Sequence, residues 1–156
     1  MDTDTFHEEQ RFTQIWIQII LYFVWAGVTG VSIALVATKK TGPIPAICLF
    51  AFMTIFVVVF RNLKLQVSLR KDAISYRFFP IQWKYRNISR VNIESMELID
   101  YNPISDYGGW GIRFGKKGAA YTVKGNHGLY IRRADKSSVL IGTSKPKEME
   151  DFLQKH

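Results

Sequence analysis

At 156 residues, 47% of them hydrophobic, the chain has room for one small domain and a helical hairpin beside it, but not for two domains. Its net charge of +8 at pH 7 is uneven: eighteen Lys or Arg face nine Asp or Glu from Arg61 onward, and three face four before it. The single cysteine, Cys48, excludes an internal disulfide and has no metal-ligand cluster around it.

Residues 12–38 and 41–60 are two uncharged, strongly apolar runs, interrupted only by Lys39 and Lys40. A bilayer core demands about 20 apolar residues of helix, and a helix satisfies its own backbone hydrogen bonds in lipid where a loop does not. The pattern predicts a cytoplasmic N-terminal flank, 1–14, and a two-helix transmembrane hairpin, 15–62, with spans near 15–37 and 44–60. The flank is acidic (Asp2, Asp4, Glu8 and Glu9 against Arg11), whereas a secretory signal starts with positive charge and has a shorter apolar stretch. The first span is therefore expected to stay uncleaved, although Ser32-Ile33-Ala34 has the small residues of a cleavage site. Trp16 falls where an interfacial aromatic belt would place it.

Gly42-Pro43-Ile44-Pro45 suits a turn and a helix start. So short a connection makes the two helices antiparallel neighbours. Ala26, Gly30 and Ala34 recur every four residues and form a candidate helix-packing face, although small residues are also common in spans. Arg61, Lys64, Arg70 and Lys71 after the second span, with Arg11 before the first, outweigh Lys39 and Lys40 in the loop. That bias predicts both termini on the cytoplasmic side of the cell membrane and the loop outside.

From 63 the period changes to two. Leu65, Val67 and Leu69 alternate with polar residues, Lys71-Asp72 makes a turn, and Ile74, Tyr76 and Phe78 alternate again, which is a hairpin pattern. After Pro80, Ile81, Trp83 and Tyr85 suggest a further strand, and 91–99 another. The turn chemistry of Asn102-Pro103 and Ser105-Asp106 makes 101–107 a loop. Short strands are expected at 110–114, 120–123, 128–133 and 139–142. Pro146 then starts a helix, 146–154, with Met149, Phe152 and Leu153 on one face. The expected class is α+β: two transmembrane helices followed by a small antiparallel β-barrel, 63–156, capped by the C-terminal helix.

This order of strands closed by a helix resembles the pleckstrin-homology-like domains of small bacterial membrane proteins, in which one or two spans lead directly into the domain. Tyr107-Gly108-Gly109-Trp110-Gly111-Ile112-Arg113 is similar to a recurrent element of those domains, and so is Val139-Leu140-Ile141-Gly142-Thr143-Ser144-Lys145-Pro146. The resemblance spans 63–153 and the preceding helices. It implies fold and architecture but brings no catalytic residue set. Lipid recognition comes with it only as an analogy to phosphoinositide-binding relatives of the fold.

Chemistry-bearing motifs are sparse. A Walker A loop ending at Gly115-Lys116 would need glycine where Trp110 stands and Ser or Thr where Lys117 stands, and a dinucleotide fingerprint from Gly109 meets Phe114 at its third glycine. His7, His127 and His156 have no converging partners for a metal, and no serine sits in a nucleophile elbow. The pairs Glu94/Glu97 and Glu148/Glu150 read as solvated faces. No catalytic residue, cofactor or metal is expected, and nucleic acid is excluded as a partner for a tethered chain without an aromatic-basic motif.

The basic residues Arg61, Lys64, Arg70, Lys71 and Arg77 follow the second span directly. An anionic leaflet attracts each such charge by about 1 kcal/mol, which makes them candidate headgroup contacts, although fixing topology alone would also account for them. The expected function is a non-enzymatic integral membrane protein that displays a basic binding or scaffolding domain to anionic lipid or another membrane protein. The alternative is an accessory subunit of a larger membrane transporter or enzyme complex, suggested by Gln14 and Gln18 at the start of the first span.

Overall fold

The computed structural model describes residues 5–115 and 117–155. The chain divides into two compact units, one of residues 12–63 and one built from both flanking segments. The first is a helical hairpin of α1 (Ile15–Ala37) and α2 (Pro43–Arg61). Pro43 occupies the first turn of α2 behind Gly42, where a missing N–H breaks no helical bond. Both helices are long and apolar enough to cross a membrane, with mean hydropathies of 2.2 and 2.5, and only 11% and 6% of their apolar stretches are buried. Phe23, Ile33, Ile44 and Phe52 all stand exposed, unlike the covered apolar stripe of a helix in a soluble core.

The seam between the helices is led by Trp25, whose Nε1 donates to Thr54 Oγ1 at 3.1 Å and whose ring centroid lies 5.8 Å from that of Phe50. Leu21 and Ser32 on α1 and Val57 on α2, the buried residues of the pair, fall in line with it. The hydroxyls of Thr29 and Ser32 donate to the carbonyls of Trp25 and Val28 at 2.8 Å, so these polar groups are satisfied within the helix, as lipid would require. Ala26, Gly30 and Ala34 do not form this seam. All three are exposed, and nothing lies within 4 Å of the place a Gly30 Cβ would occupy. At roughly 100° per residue, their line runs along the side of α1 away from Leu21, Trp25 and Ser32. The expected small-residue face is thus not the one that α1 turns to α2; an indole hydrogen bond and bulkier side chains set the register instead.

Among its described residues, the second unit has nine strands. β1 (Thr5–Arg11), β2 (Lys64–Arg70), β3 (Ala73–Phe79) and β4 (Arg86–Ser89) form an antiparallel sheet in chain order. The other sheet has β5 (Ile93–Asp100), β6 (Gly111–Gly115), β7 (Gly118–Thr122), β8 (His127–Arg133) and β9 (Ser138–Thr143), ordered β5-β8-β9-β7-β6 with β7 parallel to β9. A 3₁₀ turn at Arg90–Asn92 carries the chain from one sheet to the other. The strands are therefore hydrogen-bonded as two sheets and not as one closed barrel.

Alternation fixes the packing. Leu65, Val67 and Leu69 lie opposite Phe78, Tyr76 and Ile74 on one face, all essentially inaccessible. Tyr121, Leu129, Ile131, Val139 and Ile141 share a face of the second sheet, and the Tyr76 and Tyr121 rings meet at 4.9 Å across the two sheets. Each such side chain contributes about 1.5–3 kcal/mol by leaving water. Leu140 and Ala120 point to the other side of β9 and β7, where Tyr101 and Tyr107 cover them. That cover is α3 (Pro103–Tyr107), a short helix inside the segment expected as loop. Asn102 caps it by accepting from Ile104 N and Ser105 N at 3.0 and 3.2 Å, and Gly108 ends it at φ 73°, a conformation that favours glycine.

The largest departure from expectation is β1. Thr5–Arg11 of the N-terminal flank is the outer strand of the first sheet, with Thr5 opposite Arg70 and Arg11 opposite Lys64. Phe6, Glu8 and Gln10 face inward and are buried. The Glu8 carboxyl accepts from Thr143 Oγ1 at 2.7 Å, from Ser144 N at 2.8 Å and from Ser144 Oγ, and Gln10 Nε2 donates to the Gly142 carbonyl at 2.7 Å. These bonds tie the first strand to the turn between β9 and α4 (Pro146–Lys155), and α4, with Met149 and Phe152 buried, lies against β1. The helical hairpin is thus an insertion between two paired strands of one domain.

Candidate functional site

The outward face of the first sheet collects the polar side chains that alternate with its core. Glu9 is the hub at the end where β1 stops and β2 begins. Its carboxylate accepts from Arg11 at 2.7 Å, from Lys64 Nζ at 2.9 Å and from Gln66 Nε2 at 2.6 Å. Gln66 Oε1 in turn accepts from Arg77 Nε and from Tyr85 OH, and Arg77 Nη1 donates to the Trp83 carbonyl at 3.2 Å. The Lys64 hydrogen bond leads the contacts that hold the Glu9 carboxyl down at about 2.

Lowered from an ordinary 4.5, the Glu9 carboxyl stabilises the fold above pH 4.5, and that contribution is lost as pH falls toward 2. Discounted for solvent screening on this open face, it is worth about 1 kcal/mol. Glu9→Gln should therefore lower stability by about that amount at neutral pH, and the difference from the parent should shrink steadily as pH falls toward 2. Urea midpoints measured across pH 2–7 check the prediction; a gap that persists unchanged at pH 2 contradicts it.

Beyond Arg77 the chain leaves the sheet. Residues 81–85, which alternate like a strand, form none; β4 starts only at Arg86. Gln82 holds the segment inward: its N donates to the Phe78 carbonyl at 2.8 Å, its Oε1 accepts from Phe78 N, and its Nε2 reaches Tyr121 OH at 3.5 Å. Its neighbours are turned outward, leaving Ile81 60% and Trp83 73% exposed. The Trp83 ring meets the Phe79 edge at 5.4 Å, while the Arg77 guanidinium lies over Phe79 and, at 4.4 Å, over Tyr85. Lys64 Nζ lies 5.9 Å from the Phe79 ring. The outcome is an exposed aromatic-basic cluster, which simple alternation misread as strand; Pro80 was the only signal of the break.

Of the five basic residues expected as headgroup contacts, the four in the β domain fall at two ends of the β2–β3 hairpin. Lys64 and Arg77 belong to the cluster just described, one paired with Glu9 and the other with Gln66. Arg70 and Lys71 lie at the opposite end of the β2–β3 hairpin, where Arg70 borders a polar hollow of about 430 Å³ with His7, Ser68, Ser75, Tyr85 and Asn87. Arg61 belongs to the helical unit and donates to Tyr22 OH at 2.8 Å. Gln18, expected to await a partner helix, donates to the Phe12 carbonyl at 3.4 Å.

The glycine-rich stretch leads from α3 into β6, and β7 follows, so no helix N-terminus faces a phosphate there. Lys116 and His156 lie outside the described residues. His127 contacts Asp100, and among the described residues no three His, Cys, Asp or Glu side chains gather as metal ligands would. No protein-family model matches this chain, and no curated protein matches its sequence.

Proposed function

We propose that this chain is a two-span membrane protein whose β domain, of pleckstrin-homology-like architecture, serves as a non-enzymatic binding or scaffolding module at the cytoplasmic membrane surface. The pairing of β1 with β2 carries this reading. Strands on either side of an apolar hairpin are neighbours in one sheet, so an even number of crossings and a single domain on one side follow together. The exposed helices supply the spans. Two sheets followed by a C-terminal helix support the pleckstrin-homology-like reading in coarse layout, from which the parallel β7–β9 pair departs, and the Lys and Arg bias favours the cytoplasmic side. Anionic headgroups, or a membrane protein that presents acidic groups, are the partners that suit a basic domain held there.

Reporters active on one side only, fused after residue 155 and inserted at Thr41, test this reading. The expected result is cytoplasmic signal from the first, external signal from the second, and retention of the chain in alkali-washed membranes. Recovery of the full chain from the soluble fraction without detergent would overturn it.

The accessory-subunit reading retains one observation in its favour: the Ala26–Gly30–Ala34 side of α1 is left open by α2. Purification in mild detergent separates the two readings. A stoichiometric membrane partner supports the subunit, and a lone monomer or homodimer supports the self-contained module.

A further inference from the structure

Ile81 and Trp83 are large apolar side chains held outward by a structured segment. Gln82, between them, is fastened to Phe78 on both sides and reaches Tyr121. Trp83 is further steadied by the edge of Phe79, and its carbonyl by Arg77. Such outward presentation of a tryptophan and an isoleucine leaves apolar surface in water, which water alone does not reward. The surrounding charge is cationic: Lys84 lies within the loop, Lys64 and Arg77 flank Phe79, and Arg86 follows with its guanidinium 5.8 Å from the Tyr121 ring. Glu9 is the carboxylate of this face and already accepts from Arg11, Lys64 and Gln66.

Chain continuity says which surface lies nearby. Phe79 is opposite Lys64, and Lys64 is opposite Arg11. Only Asn62 and Leu63 separate Lys64 from the last residue of α2, and only residues 12–14 separate Arg11 from the first residue of α1. The loop 80–85 therefore belongs to the end of the sheet from which the chain runs into both helices. Tryptophan prefers the boundary between headgroups and acyl chains, and lysine and arginine prefer the anionic headgroups just outside it.

We propose that loop 80–85 is a membrane-interface anchor, in which Ile81 and Trp83 insert at the headgroup–acyl boundary and Lys84, with Lys64 and Arg77, faces anionic lipid. This rests on the two-span reading above. The anchor would hold the domain against the bilayer at a point beyond its two covalent links to the helices, and so fix which face it offers to partners.

The test uses the full chain in liposomes that contain phosphatidylglycerol, with Trp16, Trp25 and Trp110 replaced by Phe so that Trp83 is the sole tryptophan. Lipids brominated high on the acyl chain should cut its emission by about half, and aqueous iodide should quench it weakly. A companion variant that retains only Trp25, read with lipids brominated both high and low on the acyl chain because Trp25 lies mid-span, reports on the span itself. If Trp25 is quenched by brominated lipid while Trp83 is not, the anchor is overturned and the spans stand. If neither is quenched, the two-span reading fails as well. Trp83 shielded from iodide yet untouched by brominated lipid would mean that protein covers it, which also overturns the anchor. Should the triple variant fold poorly, a spin label on Ile81→Cys in a Cys48→Ala background decides. Greater accessibility to oxygen than to a water-soluble nickel chelate supports insertion, and the reverse sinks it.

Discussion

Glu8→Ala should destabilise the β domain by about 3 kcal/mol, because it strips a buried acceptor from three donors at once. Thr143 Oγ1, Ser144 N and Ser144 Oγ all end on the Glu8 carboxyl, which is 3% exposed. Alanine leaves these donors facing a small void that water enters poorly. Thr143 Oγ1 also accepts from Lys145 N at 3.0 Å, so the damage extends into the turn that starts α4. Glu8→Gln should cost about half as much, since one amide oxygen replaces two carboxyl oxygens and the NH2 must seek Thr143. Denaturation in mild detergent gives the magnitudes, and amide exchange gives the place: protection should fall first in β1 and its partner β2 while β8 and β9 keep theirs. An alanine variant within about 0.5 kcal/mol of the parent would show that β1 is held by its ladder and Phe6 alone. By the same reasoning a fragment that begins at residue 63 lacks β1 and should be less stable than one in which 5–11 is joined to β2.

That strand marks where reading the sequence succeeded and where it stopped. The two helices, the β2–β3 hairpin, β8, β9 and the closing helix were legible because hydrophobic period is a local property, strong in each of them. β1 was not, because in Thr5–Arg11 only Phe6 is apolar on the inward face. Glu8 and Gln10 are buried there by virtue of partners more than 130 residues away, and no local pattern encodes such a partner. Residues 81–85 failed in the opposite sense. Ile81, Trp83 and Tyr85 have a strand's alternation, yet Gln82 spends its side chain on Phe78 and Tyr121, and the apolar residues turn outward. The small-residue line on α1 shows a third limit: a spacing of four identifies a face but not the helix that it meets. For the candidate site, charge composition singled out Lys64 and Arg77 only as two of five basic residues after the second span, and could not reveal that Glu9 and Gln66 engage them.

Tyr121→Ala should cost about 4 kcal/mol, within the range for truncating a large buried aromatic side chain, and should do more than soften the core. The Tyr121 ring is fully buried, stacks at an angle on Tyr76 and lies beneath the Arg86 guanidinium. It is where the second sheet meets both the first sheet and the segment leading to Ile81 and Trp83. Its hydroxyl contact with Gln82, at 3.5 Å, is at the limit of a useful hydrogen bond. Tyr121→Phe keeps the ring and forfeits only that contact, so its cost should stay below about 0.5 kcal/mol. The pair separates two ways of holding the loop. If ring packing sets the loop's position, then in the chain whose sole tryptophan is Trp83, placed in liposomes, the phenylalanine variant keeps the parent's emission maximum and the alanine variant alone changes it, under conditions where the domain remains folded. If the hydroxyl does the holding, both variants shift the emission alike. The 4.9 Å contact between two inaccessible rings, set against a marginal hydrogen bond, favours the first outcome: the exposed aromatic loop is positioned by the packing of one sheet on the other.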